Sequence, residues 1–367
     1  MKKILLGQLH ANGDCLYATA IARQIKTDYP GCHLTWAISS LCVSILDGNP
    51  HVDEVWVVQI NNRDEVDNAW RQFEKEALAM QKKGAFDEVF LTQIRPGNPQ
   101  NFDGTVRSSI FRAYPRPITV PITPVLVLSL NEIENVRKFA QSHNLEKKSY
   151  VILFECAPKS DQSLVSPIFS LNVARKLISE IPNACVILSS NIPIDSKDKR
   201  IIDGSVLSFR ENAELTKYCT LLVGCSSGIS WICTSDWAKP LPMIQIINPF
   251  TFCFASFIYD HNYWDLPIDS IIEIANCSED KLIECVNSVV CEGFNSARLQ
   301  FNELILFNYY AFLVLFFRFV RHGEFRRVIT LIKSYYQRHG ITVNMIKSFS
   351  PKFFAAIFKK TISSSFR

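Results

Sequence analysis

An α/β protein of two doubly wound halves, followed by a basic helical tail, is what this 367-residue sequence predicts. Short apolar runs alternate with helical patterns twice over, which implies parallel sheets built from βαβ units. The chain is too long for one compact core and suits two domains with an extension. Its charge is also uneven: the formal net charge is +4, yet residues 297–367 carry twelve Lys/Arg against two Glu.

In order, KILLGQL (3–9) reads as a strand and Cys15 to Lys26 as a helix. HLTWAI (33–38) and EVWVVQI (54–60) are strands, Val66 to Lys83 a polar helix, and EVFLTQI (88–94) a further strand. Residues 95–124 are rich in Pro, Arg and Gly, which is loop chemistry, and a helix follows over Asn131 to His143. The alternation restarts at SYVILFECA (149–157), with a helix over Ile168 to Ile181 and a strand at ACVILSS (184–190). A short helix at Glu211 to Tyr218 precedes the strands TLLVGCS (220–226) and PMIQIIN (242–248). The last segment reads as one long apolar helix from Ala297 to Val320, a second from Glu324 to Gln337, and KFFAAIFKK after Pro351. The expected domains are 1–147, 148–296 and 297–367.

Composition narrows the function. The twelve cysteines are scattered, without a C-x-x-C pair or zinc-ligand spacing, and read as reduced thiols of the cytosol. The first apolar run stops at Gly7-Gln8, too short for a signal peptide, so a cytoplasmic location is expected. Neither half carries G-x-G-x-x-G, which disfavours a nicotinamide cofactor. No D-x-D pair occurs, which disfavours a divalent metal site.

Two strand-to-helix turns stand out: HANGD (10–14) in the first half and GCSSGIS (224–230) in the second. In open α/β sheets, ligands bind beyond the carboxyl ends of the strands. Asp14 is either an N-cap or a functional carboxylate at that edge. Gly224, Ser226, Ser227, Gly228 and Ser230 either form a tight capped turn or let a phosphate approach a helix start.

The stretch GDCLYATAIARQIKTDYPG (13–31) resembles the opening of the family 9 glycosyltransferases, the heptosyltransferases, which read L-G-D-V-L-x-x-x-P-A-L with a later proline. LDGNPHVDEVW (46–56) is similar to that family's N-P-x-V-D-x-V segment. TLLVGCSSGISWICTSDWAKPLPMI resembles its V-G-x-D-T-G-x-x-H-x-A-A region. The resemblance covers most of residues 1–60 and 148–250. It implies a GT-B fold: two Rossmann-like domains facing a cleft, the acceptor on the first and a nucleotide sugar on the second. It also implies an inverting, metal-independent glycosyl transfer with Asp14 as general base. The loop FECAPKSDQS then offers Lys159 and Ser160 to the donor phosphates, or simply to solvent. The sequence departs from the family where Ser226 replaces the aspartate and Trp231 the histidine, so the sugar is ADP-heptose or another. Trp231 is either core or a stacking surface.

His10, Asn12, Gly13, Arg95 and Arg107 are the candidate acceptor contacts, with Arg112 and Arg116 on the same basic edge; anionic glycans of a lipopolysaccharide or other surface glycan would suit them. No cofactor is expected beyond the nucleotide sugar. The mixture of bulky apolar and basic residues in the tail suits the inner-membrane surface, and no nucleic-acid motif accompanies it. The alternatives are a nucleotide-sugar 2-epimerase of the same architecture and a non-catalytic membrane assembly partner.

Overall fold

The computed structural model describes residues 1–94, 100–156, 165–249 and 251–340. The first half is a four-stranded parallel sheet of β1 (Lys3–Gly7), β2 (His33–Ser39), β3 (Glu54–Val58) and β4 (Glu88–Leu91), in the order β3-β2-β1-β4. Ile4, Leu5 and Leu6 of the central strand are fully buried, because crossover helices cover both faces. These are α1 (Asn12–Asp28) and α2 (Val66–Lys82). One turn more of α1 is helical than the apolar pattern suggests. The loop-like stretch after β4 contains a short helix, α3 (Arg107–Arg112), which packs on α1 despite its Pro- and Gly-rich flanks. The helix α4 (Leu130–Ser142) then starts at a capping box: Ser129 accepts the Glu132 N–H and Glu132 accepts the Ser129 N–H.

The second half is a six-stranded parallel sheet. Its strands are β5 (Tyr150–Glu155), β6 (Ala184–Ser189), β7 (Ile201–Asp203), β8 (Leu221–Gly224), β9 (Met243–Ile247) and β10 (Ile271–Ala275), ordered β10-β9-β8-β5-β6-β7. Its helices are α5 (Pro167–Glu180), α6 (Glu211–Leu215), α7 (Gly228–Ile232), α8 (Phe257–Tyr263) and α9 (Glu279–Glu292). Two edge strands, β7 and β10, and the helices α8 and α9 go beyond the elements the sequence pattern marks.

The long apolar helix expected from Ala297 to Val320 is two helices, α10 (Phe294–Phe301) and α11 (Tyr310–Arg321). The intervening chain runs along the sheet edge instead. The Asn302 side chain accepts the Glu273 N–H at 2.9 Å, the Glu303 N–H donates to the Glu273 carbonyl at 2.8 Å, and the Glu303 carboxylate accepts the Ala275 N–H at 2.9 Å. The polar groups left open along the β10 edge thus outcompete helix continuation. After α11 comes α12 (Phe325–His339), and the two pack together around Phe312, Leu315, Phe319, Leu331 and Tyr335. This pair joins Phe102 and Phe252, whose rings stack at 5.0 Å. It is held to the first half by buried Asp103, which meets Arg112 at 2.7 Å and His339 Nε2 at 3.3 Å. KFFAAIFKK lies outside the described residues.

Candidate active site

Both sheets direct the carboxyl ends of their strands at one cleft of about 660 Å³. On its first side, β1 hands over to α1 through Gln8–Ala11. Two glutamines shape this turn. Gln93 accepts the N–H groups of Leu9 and His10 at 3.0 and 2.9 Å, while Gln8 accepts the Thr92 hydroxyl at 3.0 Å. Ala11 takes a left-handed φ of 69°, unusual for a residue with a Cβ. The strained turn starts α1 at Asn12 and places Asp14 in the first helical turn.

Asp14 is therefore not the N-cap; that position is Ala11, and no side chain caps the helix. Among the described residues its carboxylate has no hydrogen-bond or ion-pair partner, and it lines the cleft. Burial pushes this carboxyl up to about 7, and the nearby Cys42 adds to the rise. A carboxyl poised near neutrality, with its oxygens uncommitted, can accept a proton from a ligand hydroxyl. His10, Asn12 and Gly13 line the cleft beside it, and the buried His10 Nδ1 has no partner.

Arg107 reaches the cleft from α3. Its guanidinium pairs with Asp260 of α8 across the two halves and lies 5.5 Å from the Tyr17 ring and 5.2 Å from Trp231. The other arginines of that basic edge are used elsewhere: Arg112 on Asp103, and Arg116 over the Tyr29 ring at 4.4 Å. Arg95 lies outside the described residues.

On the second side, β8 ends at Gly224, where a Cβ would collide with the side chains of Ser230 and Gln245. Gly224 and Ser230 thus form the floor of the turn rather than its exposed lip, whereas Ser226, Ser227 and Gly228 line the cleft. A residue that sequence reasoning missed, Glu155 at the end of β5, sits inside this turn. It accepts the N–H groups of Cys225 and Ile229 at 3.0 and 3.1 Å, the Ser230 hydroxyl at 2.6 Å, and the Ser227 hydroxyl. The protein's own carboxylate therefore neutralises much of the start of α7. The same device recurs at α8, where buried Glu273 accepts the Ile258 N–H at 3.2 Å and the Ser256 hydroxyl at 2.7 Å.

Ser226, at φ 53°, donates its N–H to Gln245 at 2.8 Å, and its buried hydroxyl has no partner. Trp231 stacks on Phe257 at 3.7 Å and meets Tyr17 edge-on at 4.8 Å, so it packs between the halves with 6% of its surface exposed. Lys159 and Ser160 lie outside the described residues. The signal that could have found Glu155 is an acidic residue ending an otherwise wholly apolar strand.

No family profile matches the sequence, and no curated protein matches it. Solved structures do. A glycosyl transferase of family 9 from Veillonella parvula is similar over 79% of this chain and 97% of its own, at 14% identity and a TM-score of 0.58. The ADP-heptose LPS heptosyltransferase II of E. coli is similar over 80% and 99%, at 15% identity and a TM-score of 0.52. The fold is the GT-B architecture, two parallel-sheet halves about one cleft, with a helical extension at the C-terminal end.

Proposed function

We propose that this protein is a glycosyltransferase that moves a sugar, heptose or another, from a nucleotide-sugar donor to a lipopolysaccharide or other bacterial surface-glycan acceptor. The observation that carries this is the uncommitted Asp14 carboxylate, raised towards neutrality, opposite the Ser226–Gly228 turn in a GT-B cleft.

Asp14 takes the proton of an acceptor hydroxyl as its oxygen attacks the anomeric carbon. The sugar passes through an oxocarbenium-like state and its configuration inverts, while the nucleotide diphosphate leaves with the bonding electrons. His10 and Asn12 hydrogen-bond the acceptor, Gly13 leaves room for it, and Arg107, its charge already balanced by Asp260, offers it N–H donors. The donor's diphosphate lies over Ser226, Ser227 and Gly228, and the resemblance to family 9 assigns Lys159 and Ser160 to it as well. Because Glu155 occupies much of the helix start, side chains must supply more of the positive potential than the helix dipole does. The chain's lack of a D-x-D pair favours metal-free departure of the leaving group. The C-terminal basic segment would hold the enzyme peripherally at the inner-membrane surface, on the cytoplasmic side.

A thermal-shift panel of ADP, UDP, GDP, CMP and their sugars tests the donor. A nucleotide at about a hundred times its Kd stabilises by roughly 2.7 kcal/mol. A selective shift with one nucleotide is expected. A shift with none of them contradicts a donor site in this cleft, and conversion of a nucleotide sugar without acceptor would replace transfer by epimerisation.

A further inference from the structure

The helix α12 has two apolar faces. One is internal, with Val328, Leu331 and Tyr335 buried against α11. The other is a ridge of Phe325, Ile329, Ile332 and Tyr336, which are 65%, 66%, 46% and 63% exposed. Their spacing of four, three and four residues places them on one line of the helix. Isolated exposed apolar side chains are ordinary, but a continuous ridge of four large ones marks a contact surface.

Charge identifies the partner. Arg326 and Lys333, seven residues apart, run along one flank of the ridge, and Arg318 and Arg321 end the adjoining α11. All four are exposed, and among the described residues none has an ion-pair partner. Glu324 is the only acidic residue between 310 and 340, and it is paired with Arg327 at 2.8 Å. The following residues, 341–367, add five Lys/Arg and no acid. A second copy meeting this face would bring like charges together, whereas an anionic bilayer would receive both the ridge and its cations. No helix among the described residues is long and apolar enough to cross a membrane.

We propose that the Phe325–Ile329–Ile332–Tyr336 ridge of α12, flanked by Arg326 and Lys333, docks the protein on an anionic phospholipid surface. This deepens the peripheral-membrane reading given above and rests on it. The helix is tied to the acceptor half near the cleft: His339 meets Asp103, and Thr105, two residues on, lines the cleft wall. Docking by this ridge therefore tethers the half that carries Asp103 and Thr105 to the membrane surface.

The test is cosedimentation of the full chain with vesicles of phosphatidylcholine alone and of phosphatidylcholine mixed with phosphatidylglycerol. The wild-type protein binds the mixed vesicles, more weakly as salt rises, and leaves the neutral ones in solution. Ile329→Ser with Ile332→Ser, and separately Arg326→Ser with Lys333→Ser, each lower binding about tenfold or more. The nucleotide-induced thermal shift is unchanged in both. Undiminished binding by both variants would overturn the proposal and move the contact to other residues. Absence of binding by the wild type, or a dimer that the serine variants dissociate, would overturn it as well. Vesicle binding without any nucleotide shift would keep the docking face while removing the transferase reading.

Discussion

Arg107 on α3 and Asp260 on α8 form a buried ion pair that joins the two halves at the cleft wall, beside Tyr17 and Trp231. The side chains are 3% and 14% exposed, so solvent screens the pair little. Removing one partner leaves the other charge buried. Arg107→Ala or Asp260→Ala is expected to destabilise by about 3–5 kcal/mol, and the double variant by less than the sum. Urea unfolding of the four proteins in the cycle measures this. Arg107→Lys should rescue little, since the planar guanidinium also lies over two rings.

In the role proposed above, Asp14 links activity to pH. As a general base it must be ionised, so kcat/KM is expected to rise with pH through about 7. Its effect on stability runs the other way. The folded-state pKa lies above the ordinary value of 3.8, so the folded chain binds the extra proton between the two values, and this group's contribution falls as pH rises from 3.8 to about 7. Asp14→Asn removes that penalty. The variant should melt no lower than wild type at about pH 8, with the rise in activity gone.

Glu155 holds the turn from Cys225 to Ser230 together. Glu155→Ala strands two N–H groups and two hydroxyls in a buried site, at a cost of about 3 kcal/mol. Glu155→Gln fills the same space but turns an amide N–H₂ towards donors. Both should lower the melting temperature and weaken nucleotide binding, the glutamine less, as read by calorimetric titration.

Asp103 anchors the C-terminal helices. Hydrogen bonds from His339 and Thr105 and the charge of Arg112 hold its carboxyl well below the usual range, although burial alone would raise it. That stabilisation is present above the ordinary carboxylate pKa and is lost as pH falls. Asp103→Ala should release α11 and α12 first, seen as faster proteolysis of the connection between Asn302 and Tyr309 while the two sheets stay resistant.

Local features were legible in the sequence and long-range ones were not. Alternating apolar runs marked both sheets, and HANGD and GCSSGIS marked turns that do face one cleft. Gln93, Glu155 and Asp260 went unseen because their partners lie far away in the chain: 83 residues between Gln93 and His10, 70 between Glu155 and Cys225, and 153 between Asp260 and Arg107. The apolar run from Ala297 to Val320 shows the same limit. Its composition is helical throughout, and the break at Asn302 arises from hydrogen bonds to the β10 edge that no local pattern encodes.

The most direct measurement compares wild type with Asp14→Asn in one transfer assay, using the donor the nucleotide panel selects and a lipopolysaccharide-core acceptor. The variant is expected to give the same nucleotide-induced thermal shift while release of nucleotide diphosphate falls by about 10²–10⁴-fold. A folded variant that binds the donor and transfers sugar at the wild-type rate would contradict the assignment of Asp14 as the base.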